Sequence, residues 1–102
     1  YEKPDEIHKF LLKRRHLSPT HNLNLTIPMK QDPHIISEIP DIMVSGHIHK
    51  ANIGNYKNTI SISGSCWQAV TDFQLKFGHV PDPGMIPILN LKTRKGSMLS
   101  FK

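Results

Sequence analysis

Two histidines separated by one residue, His47 and His49, are the side chains best suited to chemistry in this sequence. They follow Gly46, which permits a sharp turn, and the uncharged apolar run 42–44, which predicts a strand buried on both faces. Ligands of open α/β sheets bind beyond the carboxyl ends of strands. Residues i and i+2 of an extended backbone point the same way. Since neutral imidazole binds divalent metals, the pattern predicts a pair of metal ligands, the alternative being two surface histidines in a loop.

Two histidines do not complete such a site, because zinc, manganese or iron sites need at least three protein ligands. Asp41 begins the strand whose other end carries the histidines, so it lies too far away to contribute. Asp32-Pro33-His34 has the spacing of a metal-ligand pair. It follows a polar loop rather than a buried strand, so we do not expect it to bind a metal. We therefore expect the missing ligands in sequence outside these 102 residues, as part of a longer polypeptide.

Residues 63–68 form a second candidate segment. They follow a predicted strand, just as residues 46–49, here called the histidine loop, follow the strand at 41–45. Ser65 and Gln68 have side chains that can donate hydrogen bonds to a phosphate. Cys66 is a candidate nucleophile, but it has no acid–histidine partner nearby in sequence to activate it. The alternative is a buried free cysteine, which is common in proteins. Trp67 is expected to pack in the core or at its rim, the alternative being a platform on which bases stack.

A basic run, Lys13-Arg14-Arg15-His16, is the densest cluster of positive charge. It falls at the end of a predicted helix, where cations complement the helix dipole. The functional alternative is that Arg14, Arg15 and the adjoining His16 contact phosphate groups of a substrate, because arginine binds phosphate bidentately.

The elements that must position these residues are one helix and several strands. The helix is predicted to start at Lys3-Pro4-Asp5-Glu6, to bury Ile7, Phe10 and Leu11, and to be unable to continue through Pro19. The alternation of apolar and polar residues predicts a β-hairpin after His49. The predicted extended segments are 23–27, 41–45, 51–55, 59–63, 85–91 and 97–101, with a helical turn at 35–39 and a short helix at 69–77.

Composition restricts the class of protein. The net charge of +5 and the pI of about 9.6 favour a polyanionic partner. No apolar run has the length of a membrane span and no signal peptide is visible, so a cytoplasmic protein is expected. The single cysteine, Cys66, excludes an internal disulfide and agrees with a reducing compartment.

The histidine motif and its flanks resemble a known family. Gly46-His47-Ile48-His49 after an apolar strand is similar to the last metal motif of the calcineurin-like metallophosphoesterases, and Ser63-Gly64-Ser65 to the turn that follows it. Four further segments resemble the C-terminal region of the small subunits of archaeal family D DNA polymerases, also called DNA polymerase II. These segments are 11–20, 39–42, 65–68 and 78–81.

The resemblance implies an α/β fold, part of a calcineurin-like β-sandwich flanked by helices, with residues 1–102 forming part of one metallophosphoesterase domain. It implies a 3′–5′ exonuclease that proofreads for a large catalytic polymerase subunit, with DNA as substrate. His47 and His49 would each bind one of two divalent metals, with manganese expected and magnesium or zinc as alternatives. Two such ions about 3.5–4 Å apart hydrolyse a phosphodiester bond by in-line displacement.

The family's earlier metal motifs are absent from these residues, so the chain by itself is expected to be inactive. Two other functions stay open: a calcineurin-like phosphatase of small phosphoesters, and a catalytically silent accessory subunit of a polymerase. The retained pair His47 and His49 argues against the silent subunit. The basic flank and the polymerase-like segments argue against the phosphatase.

Overall fold

Helix α1 covers Pro4–Arg14 in the computed structural model of the chain. Proline at the first helical positions and the acids Asp5 and Glu6 in the first turn favour the start, as predicted. The helix ends because Arg15 adopts a left-handed conformation, φ 53°, and its backbone N–H bonds back to the last turn. The described residues are 3–19, 27–69, 71–72, 76, 78 and 80–101.

The buried stripe of α1 consists of Pro4, His8 and Leu12, which are spaced four residues apart. The predicted stripe is wrong at Phe10, which is 42% exposed and carries the guanidinium of Arg14 at 3.7 Å from its ring centre, whereas Ile7 and Leu11 are half-buried. A histidine occupies the middle of the buried stripe because it finds polar partners on the sheet. Apolar spacing alone therefore misses the polar centre of the buried face of this helix.

Three strands form the sheet under α1: β1 at Ile42–Ser45, β2 at Asn52–Tyr56 and β3 at Thr59–Ser63. Their order is β1-β3-β2, with β1 parallel and β2 antiparallel to β3. All five residues of β3 are buried, so β3 and not β1 is the middle strand. The expectation that 42–44 is buried on both faces is wrong, because β1 is an edge strand among the described residues and Val44 is 66% exposed.

The predicted hairpin is confirmed, with β2 and β3 joined at Lys57 and Asn58. Both residues have positive φ, 44° and 68°, as in the two-residue turns whose twist suits antiparallel strands. A second hairpin pairs β4, Met85–Leu89, with β5, Gly96–Ser100. The two sheets meet closely, since a Cβ atom added at Gly96 would lie 3.0 Å from Cγ2 of Ile53.

The architecture of one helix followed mostly by strands confirms the predicted α/β class. The helical turn predicted at 35–39 is absent. There the chain pairs with the end of the helix instead, since Ile36 N–H donates to the Arg15 carbonyl at 2.9 Å and His16 forms a β-bridge with Ile35. Residues 23–26 of the predicted segment 23–27, and most of the predicted helix 69–77, lie outside the described residues.

None of the helical segments in the described part of the chain has the length and apolar character needed to cross a bilayer.

Candidate metal centre

The loop after β1 contains a tight turn centred on His47. Its φ is 77°, and the N–H of Ile48 donates to the carbonyl of Gly46 at 3.0 Å. An i to i+2 hydrogen bond around a residue of positive φ defines a γ-turn of the rare, strained kind. The sharp turn expected at Gly46 therefore lies at His47, since Gly46 is not among the described residues with positive φ. A non-glycine residue held in this way stores about 1–3 kcal/mol of strain.

His49 also has a left-handed backbone, with φ 58°. The prediction that both imidazoles point the same way assumed an extended backbone. The chain instead adopts a positive φ at His47 and again at His49. His47 is exposed, and His49 is half-buried. Such strained conformations persist only where surrounding contacts fix them, and they concentrate at binding and catalytic sites.

Asp82 fixes the far side of the histidine loop. Its N–H donates to the carbonyl of His49 at 2.8 Å, and its Oδ2 atom accepts from the N–H of Ala51 at 3.1 Å. The hydroxyl of Ser65 in turn donates to the Asp82 carbonyl. The segment after β3 and the Pro81-Asp82-Pro83 loop therefore support the backbone on which His49 stands.

His8 supports the near side of the same loop from within the fold. It is 1% exposed, and its Nε2 atom lies 2.6 Å from Oγ of Ser45, the last residue of β1. Its Nδ1 atom contacts the hydroxyl of Ser61 on β3. Burial lowers the pKa of His8 below its ordinary value of 6.5, an effect that the charge of Asp5 partly opposes. A neutral imidazole, with one nitrogen donating and the other accepting, satisfies both serines.

Ser65 and Gln68, predicted as phosphate donors, lie at the same end of the sheet as the histidines. Gly64 N–H donates to the Ser45 carbonyl at 2.8 Å, which joins the two loops directly. The hydroxyl proton of Ser65 is used by Asp82, while the Gln68 residue is exposed. Trp67 is 70% exposed at the rim, with its ring 5.8 Å from that of Phe101.

Arg14, Arg15 and His16 lie at the opposite end of the sheet. Leu12 and Arg15 border the same cavity as Thr59, the first residue of β3, whereas the histidine loop follows the ends of β1 and β3. The structure therefore does not bring the basic run and the histidine pair together. Arg14 bonds the Phe10 carbonyl at 3.4 Å, whereas Arg15 bonds that of Ile36 at 3.5 Å, so the two guanidinium groups diverge.

The Asp32-Pro33-His34 segment forms a separate cluster with His16. The Nδ1 atom of His16 accepts from Ser18 N–H at 2.9 Å, so its Nε2 carries the hydrogen that Asp32 Oδ2 accepts at 2.6 Å. The other Asp32 oxygen accepts from His34 N–H at 2.9 Å. The hydrogen bond from His16 comes first among the causes that lower the pKa of Asp32. Both carboxylate oxygens are therefore already engaged.

Within the described residues, no group of three or more His, Cys, Asp or Glu side chains is arranged to hold a metal ion. The donor chemistry at His47 and His49 suits a divalent metal, but it supplies two imidazoles only. Sequence reasoning missed His8 and Asp82, which support this loop. Asp82 stands between two prolines, a rigid setting that offered one signal of its role.

Comparisons with known proteins identify relatives of the chain. A scan against models of protein families finds no match. The DNA polymerase II small subunit of Thermoplasma acidophilum is 39% identical over 92 residues, 89% of this chain and 19% of that protein. The protein of the same name from Archaeoglobus fulgidus is 38% identical over 89 residues, 86% of this chain and 18% of its own length. The protein of the same name from Pyrococcus horikoshii is 36% identical over 86 residues, which are 83% of this chain and 14% of that protein.

The chain spans less than a fifth of the length of these relatives. The similarity extends over most of the chain and recurs in several archaea, which confirms the polymerase-subunit resemblance. The chain is therefore homologous to one segment of the archaeal DNA polymerase II small subunits.

Proposed function

We propose that this chain supplies two metal ligands, His47 and His49, to the 3′–5′ exonuclease site of a DNA polymerase small subunit. The observation that carries the proposal is the γ-turn at His47, followed by a second left-handed histidine directly beyond β1. Strain of this kind is retained where a function requires it. The names of the relatives supply the setting, a polymerase subunit acting with a larger partner on DNA.

The residues of the chain bind and orient in this proposal. His47 and His49 each offer one imidazole nitrogen, and the other ligands come from parts of the protein beyond this chain. Manganese is the expected metal, with magnesium or zinc as alternatives. When bound, two such ions activate a water and stabilise the attacking and leaving oxygens of the phosphodiester. His8 and Asp82 act as positioning residues, because they hold the backbone on either side of the histidines.

A catalytically silent accessory subunit is the second candidate. The favouring observation is that the backbone reverses at both His47 and His49, in place of the extended conformation in which both imidazoles would point the same way. The two candidates differ in one property: a silent subunit would tolerate loss of either histidine, whereas an exonuclease would not.

The test uses the full-length subunit assembled with the large subunit and a primer with a mismatched 3′ end, in the presence of Mn²⁺. We expect His49→Ala to lower the rate of digestion by roughly two orders of magnitude or more, without loss of assembly. His34→Ala is the matched control, since it removes a histidine at the other end of the sheet. No digestion by the wild type would leave the silent subunit as the function, and equal digestion by wild type and His49→Ala would exclude His49 as a metal ligand of the site.

A substrate comparison separates the exonuclease from a phosphatase. The exonuclease should digest the mismatched primer and leave a small phosphomonoester, such as p-nitrophenyl phosphate, nearly untouched. The reverse preference would assign the site to a phosphatase.

A further inference from the structure

A cavity of about 400 Å³ opens where the end of α1 meets the start of β3. Three cations line it, Lys13, Arg15 and Lys57, together with Leu12 and the ring of Tyr56. No carboxylate is among its lining residues in the described part of the chain. Asp41, the acid that precedes β1, is paired with Arg94 at 3.6 Å. The cavity therefore concentrates positive charge without a local counter-charge.

The cations come from separate parts of the fold and border one cavity. Arg15 stands in the left-handed cap of the helix and bonds the Ile36 carbonyl at 3.5 Å. Lys57 stands in the hairpin turn, with its ammonium 5.6 Å from the centre of the Tyr56 ring. Lys9 approaches the same ring at 5.8 Å. Folding thus joins charges that lie more than 40 residues apart in sequence.

We propose that this cavity binds backbone phosphates of single-stranded DNA, at a site distinct from the His47–His49 loop. Lysine and the planar guanidinium of arginine are the usual partners of phosphate oxygens, and the charge of +5 favours a polyanion. The nearby lysines engage the Tyr56 ring, so contact through phosphates is favoured over base stacking. The exposed side chain of Ile39, which also lines the cavity, provides an apolar surface for the sugar.

The position of the cavity separates this function from hydrolysis. Thr59 borders the cavity and Ser63 lies beside the histidine loop, so four residue steps of β3, about 13 Å, separate the two sites. The inference takes DNA as the polyanion from the proposed function, but it requires no metal and no catalysis. The two proposals can therefore fail independently.

The test measures binding of a fluorescent oligothymidylate to the full-length protein in EDTA, over a range of KCl concentrations. Lys13→Gln, Arg15→Asn and Lys57→Asn remove the charges, and asparagine is chosen where φ is positive because it tolerates that conformation. Each variant should weaken binding and reduce the salt slope, log K against log[KCl], by about 0.7. Arg15→Lys should restore most of the slope.

Lys92→Asn is the matched control, since it removes an exposed lysine outside the cavity and should change the slope less than any cavity variant. Unchanged slopes in all three cavity variants would overturn the proposal. If those variants bind DNA normally but assemble poorly with the large subunit, the cavity is instead a site for an acidic segment of a protein. His49→Ala lies outside the cavity. If this variant loses exonuclease activity but keeps the salt slope of DNA binding, the proposal that the cavity binds DNA phosphates stands.

Discussion

The Nε2 atom of His8 lies 2.6 Å from the Oγ atom of Ser45, at the point where β1 ends and the histidine loop begins. The same ring contacts Ser61 in the middle strand. One buried imidazole therefore joins the helix to both parallel strands. The position of the loop that carries His47 depends on how α1 packs.

Replacing His8 tests this link. His8→Ala leaves the hydroxyl of Ser61, a residue only 2% exposed, without its partner and opens a cavity. We expect a loss of about 2 kcal/mol or more in the free energy of unfolding. The thermal midpoint of the full-length protein measures it, with Glu6→Ala, on the exposed part of the same helix, as control. Equal midpoints for the two variants would show that the serine contacts contribute little.

The protonation of His8 makes stability depend on pH. Burial lowers its pKa in the folded state, so below the ordinary value of 6.5 the unfolded chain binds a proton that the folded chain does not. The stabilising effect of neutral His8 is therefore present above that value and declines as the pH falls further. Thermal midpoints at pH 7 and pH 5 should differ more for wild type than for His8→Gln. The same difference in both proteins would refute the assignment.

The strain at His47 predicts a stability change of unusual sign. Glycine adopts φ 77° freely, whereas alanine does not. In the absence of metal, His47→Gly should therefore be more stable than His47→Ala by about 1 kcal/mol, despite the flexibility of glycine. Denaturant unfolding of both variants provides the comparison. A less stable glycine variant would mean that the turn is unstrained.

Two glycines predict opposite responses to the same substitution. Gly96→Ala places a Cβ atom 3.0 Å from Cγ2 of Ile53 and should destabilise the contact between the sheets by about 1–3 kcal/mol. Gly46→Ala meets no atom within 4 Å in the described structure and should change stability by less than about 1 kcal/mol. Thermal midpoints of the two variants give the comparison, and similar losses in both would contradict this packing.

Local rules predicted the elements whose signals lie within a few residues. Pro4 and Asp5 fixed the start of α1, and the period of two around Lys57 and Asn58 fixed the hairpin. Long-range pairing decided the rest. His8 is buried because of serines 37 and 53 residues away, which apolar spacing does not reveal.

The candidate site was predictable in residue type but not in backbone. His47 and His49 follow a strand as expected, yet their left-handed conformations depend on contacts such as Asp82 N–H to the His49 carbonyl, 33 positions apart in sequence. The separation of Arg14 from Arg15 likewise depends on the ring and carbonyl of Phe10 and on the carbonyl of Ile36.

Metal content tests the central claim most directly. The full-length subunit is saturated with Mn²⁺, freed of excess metal and analysed for bound manganese per chain, with His34→Ala as control. The account predicts about two ions in wild type and the control, and about one fewer in His47→Ala and in His49→Ala. Identical manganese content in wild type and both variants would contradict it.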